Sequence, residues 1–447
     1  MRLCVIGGGL AGLSCAITAR RLGMEVVLLE ASDFDGQCSG EHLALEAVDL
    51  LKTMGFAPEL YEQVATPCNE IMSYWGSQEP QFRDSLQYPT GLGLLLERPA
   101  FDRLFANFVR NCGVRIITGA RAKSLQRVKA SWTVHYYYDG AQKYENVDFL
   151  VDATGRNSRF ASMLGGRKIK YDKLIALNLR VPLRDLQDSL WDGRVVVEPH
   201  AQGWIYVAGL PKNEGIVSAI TDSEKVSRED TANRVFREHL TTTRIGRALI
   251  GDVEISFDDL VTCSCQSQVC SNLYGDNWLL VGDSAWSADP LSAQGMLKAI
   301  RDGIDAANNI VTFFMGDKGA LATYQLRIHE DFRTYLADRS KYYRLERRWS
   351  EYLFWRRRHN YGLSQKEIML DPNHFLDFSS FDLNAVLDRV SVEAPKINRT
   401  LLAQVMQTPA RAFDMAACYQ QMATTKISDH EVILILQAIQ QSFSGRS

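Results

Sequence analysis

The sequence predicts an α/β protein in which a discontinuous, Rossmann-like domain carries an antiparallel β-sheet domain and a small C-terminal helical domain. Three observations carry that prediction: a glycine-rich βαβ pattern over residues 2–30, short alternating strands between 172 and 221, and helical periodicity over 382–442. The first is explicit in "MRLCVIGGGLAGLSCAITARRLGMEVVLLE". Residues 2–6 read as an apolar strand, 10–22 as a helix and 25–30 as a second strand. Gly7, Gly9 and Gly12 fit G-x-G-x-x-G at the strand-to-helix turn, where absent side chains let the backbone approach a pyrophosphate on the positive helix N-terminus. Glu30 closes the unit where an acid accepts from a ribose hydroxyl.

Two distal segments narrow the choice of dinucleotide. "FLVDATGRNS", residues 149–158, is an apolar strand ending in Asp152 and then Ala153, Thr154 and Gly155. "NWLLVGDSAWSADPLSAQGMLKAIRDGIDAANNIV" is a strand running into Gly282 and Asp283, then a loop, then a helix from about Ser292. A nicotinamide dehydrogenase needs neither. Asp283 at a strand end suits a ribityl or ribose hydroxyl, and Pro290 shapes the turn before the helix. The free amides around Ala293, Gln294 and Gly295, aimed at the edge of an isoalloxazine, would stabilise negative charge on a reduced flavin. Arg98 precedes a further helix, either as an exposed cap or in contact with a cofactor phosphate or the loop around it.

Composition bounds the remainder. A chain of 447 residues, 46% hydrophobic, is long enough for two or three domains. With 50 basic and 53 acidic residues the net charge is −3, so the balance argues against nucleic acid as a partner. Nine scattered cysteines suit reduced thiols rather than a disulfide framework, and "CSCQSQVC" lacks the paired spacing of a zinc site. The uncharged stretch 3–19 superficially matches a signal-peptide core, but its glycines and the continuation through Glu30 argue for a soluble, cytoplasmic protein with no membrane span.

The glycine fingerprint, the "DATG" turn and "GDSAWSADPLSAQGM" resemble the FAD-binding monooxygenases related to para-hydroxybenzoate hydroxylase and the flavin-dependent halogenases, over residues 1–330. The resemblance implies FAD held by Gly7, Gly9, Gly12, Glu30, Arg98 and Asp283, with Ala293, Gln294 and Gly295 facing the ring. "GQCSGEHLALEAVDLLKTMG" is similar to the loop and helix that halogenases place beside the flavin. Halogenases also need a lysine in the stretch that follows and a W-x-W-x-I-P element; no lysine lies between Lys52 and Lys123, and the nearest match to the element is "GWIYVAGLP". "VDATGRNSRFASMLGGRKIKYDKLIAL", "DPLSAQGM" and "YYRLERRWSEYLFWRRRH" look more like the flavoproteins that mature cysteine tryptophylquinone enzymes, including the one of quinohemoprotein amine dehydrogenase biogenesis. That resemblance implies insertion of oxygen into a protein-borne tryptophan, with halogenation, small-molecule aromatic hydroxylation and a non-catalytic chaperone as alternatives. Without a second G-x-G-x-x-G, electrons would come from transiently bound NAD(P)H or a separate flavin reductase.

The expected organisation follows: an FAD-binding domain from 1–171 and 255–335, an antiparallel substrate domain over 172–254, a basic aromatic helical segment over 336–364 and the helical domain over 365–447. In the substrate domain Trp204 and Tyr206 share a strand face and would form a wall for an indole. Proton-transfer candidates are Glu41, His42 and His200, with Asp289 near the flavin-facing helix. Residues 339–358 hold eight basic against two acidic residues, interleaved with aromatics, and would dock an acidic protein substrate.

Overall fold

Strands Arg2–Ile6, Glu25–Leu29 and Phe149–Asp152 are rich in Val, Leu and Ile because each is covered on both faces, the condition of a parallel sheet. They form the middle of a six-stranded sheet whose order runs Tyr274–Gly275, Trp278–Leu280, Phe149–Asp152, Arg2–Ile6, Glu25–Leu29, Arg115–Ile117. All pairings are parallel except that of the edge strand Tyr274–Gly275. This is the computed structural model of residues 1–34, 36, 40–84, 91–183, 193–226, 229–252 and 256–359. The expected helical domain at 365–447 lies outside the described residues.

Helix Leu10–Arg21 follows the first strand and lies against helix Gly295–Phe314. The crossing is close because Gly303 has no side chain: a Cβ there would sit 2.4 Å from the carbonyl oxygen of Ala11. Helix Leu10–Arg21 follows the carboxyl end of strand Arg2–Ile6, and the segment leading into Gly295–Phe314 leaves the carboxyl end of Trp278–Leu280, the end at which open α/β sheets bind ligands.

The second sheet has seven strands, in the order Val261–Ser264, Leu174–Pro182, Glu214–Asp222, Gly203–Leu210, Arg194–His200, Glu70–Ser73, Gln81–Asp84. It is antiparallel except where Arg194–His200 pairs with Glu70–Ser73. The sheet is wider than residues 172–254, since three of its strands come from segments assigned by sequence to the FAD-binding domain. One face packs Leu177, Leu179, Val196, Val207 and Val217 against Val235, Phe236, Leu240 and Leu249 of helices Glu229–Thr242 and Arg244–Asp252. Each fully buried aliphatic side chain there contributes on the order of 2 kcal/mol. The other face looks toward the 289–295 loop, with Leu291 packed near Leu174, Ala176, Trp204 and Ile220.

The basic aromatic segment is the end of helix Ala320–Leu345, a turn, and the short helix Leu353–His359. Its Tyr343, Phe354 and Trp355 are buried with Trp75 and Trp204. Two of its eight cations turn inward: Arg339 binds Asp172 at 3.0 Å and Asp289 at 2.7 Å, and Arg358 binds Asp222 at 2.7 Å, while exposed Arg357 also binds Asp222 and Glu224. Acids from distant elements reach three of its eight cations, Arg339, Arg357 and Arg358, so the whole of 339–358 is not free for docking. Tyr342, Arg347, Tyr352, Leu353 and Arg356 remain exposed.

Candidate functional site

The glycine turn is built for backbone contact. Gly7 has φ +110°, and a Cβ on it would lie 2.3 Å from the carbonyl oxygen of Ala153; one on Gly12 would lie 2.0 Å from that of Gly7. Gly9, which begins the helix, has nothing within 4 Å of a Cβ position, so the turn is packed on its protein side and open on the other. Glu30 accepts hydrogen bonds from the Gly8 amide at 2.6 Å and from the amide and hydroxyl of Ser32 at 2.8 and 2.7 Å. The predicted ribose acid thus also braces the turn.

The 152–160 and 282–298 segments meet that turn. Buried Asp152 accepts from the Thr154 amide and hydroxyl, the Ser284 hydroxyl and the Phe160 amide, which ties the two segments together. Asp283 sits between two cations, Lys298 at 3.1 Å and Arg156 at 3.2 Å. Burial opposes its charge, but Lys298 and Arg156 outweigh that and hold its carboxyl below the ordinary carboxylate range. Lys298 is itself buried and donates to the carbonyl oxygen of Trp286 at 2.8 Å. Ala293, with φ +50°, turns the chain into helix Gly295–Phe314, and Ala293, Gln294 and Gly295 are all exposed at its start. The first-turn amides of such a helix have no partners within it.

Arg98 is the first residue of helix Arg98–Asn111 and is buried, which excludes the exposed cap. It is forked onto Asp102 at 3.2 and 3.1 Å and donates to the carbonyl oxygen of Gly40 at 2.7 Å, so it fixes the loop that carries Glu41. Glu41 is buried; burial pushes its carboxyl above the usual range by more than Arg98, the amides of Glu41 and Gly40, and Arg180 pull it down. Its neighbour Tyr206 is half-buried, and its phenol is held well above its ordinary value by burial, then by Glu41 and Cys68. His42 is fixed by a 2.7 Å contact between Nε2 and the carbonyl oxygen of Leu92, and burial keeps it neutral.

Three predicted site residues lie elsewhere. His200 shares the parity of Val196 and Glu198 and so faces the helices, its ring 4.2 Å from that of His239. Trp204 is 1% exposed, edge-on to Trp75 and donating to the Tyr343 hydroxyl at 3.3 Å, which makes it core rather than a substrate wall. Asp289 is consumed by the Tyr335 hydroxyl on its amide, the Leu291 amide and Arg339. In their place the sheet presents residues that the sequence reading passed over. Asn178, Ser218, Tyr206 and Val197 lie side by side across four strands on the face toward Leu291, and Arg180 shares that face with Asn178. Among the described residues the side chains of Asn178, Ser218, Tyr206 and Arg180 make no hydrogen bond or ion pair. A lone asparagine in the apolar strand "LIALNLRVP" was the available signal.

Comparison with known proteins decides the family: the model for the FAD binding domain matches residues 1–334. The chain belongs to that family. LodB of Marinomonas mediterranea, described as an FAD-dependent oxidoreductase, is 28% identical over 369 residues, covering 81% of this chain and 97% of LodB. A tryptophan 2-halogenase of Chondromyces crocatus is 21% identical over 71% of this chain and 62% of its own length. Among solved structures, the flavin-dependent halogenase CmlS matches with TM-score 0.71 at 20% identity, covering 95% of this chain and 76% of its own. The peptidyl tryptophan dihydroxylase QhpG matches with TM-score 0.68 at 20% identity, covering 86% and 82%. The protein is a flavoprotein enzyme with FAD as cofactor, and its fold is that of the flavin halogenases and hydroxylases.

The residues present fit that cofactor. The open side of Gly9 leaves room for a pyrophosphate, Glu30 and Asp283 offer carboxylate oxygens to hydroxyls, and the exposed helix start at Ala293–Gly295 would face the flavin ring. Arg156 and Lys298, which sequence reasoning missed, would keep Asp283 ionised for that task. No helix among the described residues is long and apolar enough to cross a membrane, and none of their His, Cys, Asp and Glu side chains cluster as a metal site.

Proposed function

We propose that this chain is an FAD-dependent monooxygenase that inserts oxygen into a tryptophan side chain carried by another protein, during biogenesis of a tryptophylquinone cofactor such as that of a quinohemoprotein amine dehydrogenase subunit. The observation that supports this most is the sheet face toward the 289–295 loop: an apolar wall interrupted by Asn178, Ser218, Tyr206 and Arg180, with buried Glu41 beside it. Such a wall suits a flat aromatic ring with one polar edge. QhpG is described as essential for tryptophylquinone cofactor biogenesis, which supports this direction, and LodB, matched over nearly its whole length, supports FAD-dependent oxidoreductase chemistry. Reduced FAD supplies the oxygen activation. The chain's own part is to exclude water, orient the ring and manage a proton, and Glu41, whose carboxyl burial keeps protonated toward higher pH, is the group placed to exchange one. The partner subunit would dock on the exposed subset of the 339–358 segment.

Half-buried, unpaired Arg180 favours a second reading, a free amino acid held by its carboxylate, which would suit a small-molecule hydroxylase or halogenase. One incubation separates the readings: the FAD-loaded protein with a flavin reductant, oxygen and chloride, given either the tryptophan-bearing subunit or free tryptophan, followed by mass spectrometry. The expected result is added oxygen on a tryptophan of the subunit and little change in free tryptophan. Chlorination or efficient oxidation of free tryptophan overturns the proposal, as does tight subunit binding with no mass change, the outcome for a chaperone.

A further inference from the structure

We propose that Asn178 recognises the substrate ring, its carboxamide oxygen accepting a hydrogen bond from the ring N–H of an indole. This rests on the aromatic-substrate reading above and names the side chain that would select and orient that substrate.

Asn178 lies on strand Leu174–Pro182, opposite Ser218 on one side and Val261 on the other. Strand alternation sends Ile175, Leu177, Leu179 and Val181 to the helix-covered face and leaves Leu174, Ala176, Asn178 and Arg180 on the face toward Leu291. Of the residues along that face of the strand, Leu174 and Ala176 are apolar packing. Asn178 is only 6% exposed, yet its Oδ1 has no hydrogen-bond partner. A buried carbonyl oxygen left unpaired costs about 1–3 kcal/mol, and native structures rarely retain one without a use. The Ser218 and Tyr206 hydroxyls that follow it across the sheet are also without protein partners among the described residues. Neighbouring strands are spaced by about 5 Å, so three such tips span roughly the length of an indole. A row of three unpaired polar groups across the sheet, with Arg180 two residues along the strand from Asn178, is what a site built to hydrogen-bond a ligand shows before the ligand arrives. The ligand must bring its own donor to Oδ1. An aromatic carbocycle has none, an indole has one, and a benzothiophene is an indole in shape without it.

The test follows from that last pair. Indole and benzo[b]thiophene are titrated into the FAD-loaded protein, with binding read from the perturbed flavin absorbance and from calorimetry. The parent protein is expected to prefer indole by about tenfold to a hundredfold, the range for leaving a buried acceptor unpaired. Asn178→Leu and Asn178→Ala are expected to bind both ligands alike. Asn178→Leu should also melt at the same temperature as the parent or higher, because it removes an unpaired buried oxygen from an apolar wall. A parent that fails to prefer indole, or variants that retain the preference, overturns the proposal. Binding is measured without oxygen or reductant, so a failure of the monooxygenase reading appears as absent oxygen insertion while the indole preference stands.

Discussion

The two halves that meet at the site are made of different material. On the parallel-sheet side the contacts are backbone: Gly7 and Gly12 pack main chain against main chain, and the helix starts at Gly9 and Gly295 present amides. On the antiparallel-sheet side the contacts are side chains, Asn178, Arg180, Tyr206 and Glu41, delivered from separate strands and a loop. At Gly7 and Gly12 this backbone surface tolerates almost no substitution, because a Cβ there occupies space that is already filled. A side-chain surface tolerates much, because what it holds depends on which groups happen to face one another.

The hardest way to break the comparison is at Gly12. Gly12→Val would place a branched side chain against the Gly7 carbonyl oxygen, where even a Cβ lies at 2.0 Å. The expected outcome is a loss on the order of 3 kcal/mol or more and protein purified without flavin, read from denaturant unfolding and from released FAD. A variant with parental stability and full FAD content would show that the turn can yield, and that the distinction drawn above fails.

The side-chain half is tested within the basic segment. Arg339→Ala would strand buried Asp289 and half-buried Asp172, and should cost about 3–5 kcal/mol. Arg356→Ala, on an exposed position of the same segment, should change stability by less than about 0.5 kcal/mol. Equal effects in urea unfolding would mean that the segment's interior ion pairs do not hold the sheet to the 289–295 loop.

The most gradual effect, spread over pH, concerns the sheet's helix-covered face. Burial, then His239, holds His200 well below the usual histidine range, and burial lowers His239. The unfolded chain takes up protons near pH 6.5 while the native pair stays neutral, so stability is full above that pH and falls as pH drops below it. The slope should approach about 1.4 kcal/mol per pH unit for each histidine. His42 and His329, also lowered by burial, add in the same direction. Melting temperatures between about pH 7 and pH 5 check this, and a shallower decline in His200→Gln assigns the share of the pair.

The sequence by itself determined the parallel half. The βαβ unit, the Asp152 turn and the Gly282–Gly295 segment are each local, and glycine at a tight turn or a carboxylate at a strand end carries its reason in its own neighbourhood. It also contained the alternation that sends His200 away from the site, although the aromatic pair at 204 and 206 obscured it. Only the tertiary structure decided the rest. Trp204 turned from wall to core because Trp75 and Tyr343, 129 and 139 positions away in the chain, close over it. Arg339 and Arg358 turned inward because Asp172, Asp222 and Asp289 arrive from other elements, and Asn178 became a recognition candidate because nothing arrives to pair it. Backbone geometry is set by near neighbours, whereas the fate of a buried charge or amide is set by whatever the fold brings to within hydrogen-bond distance.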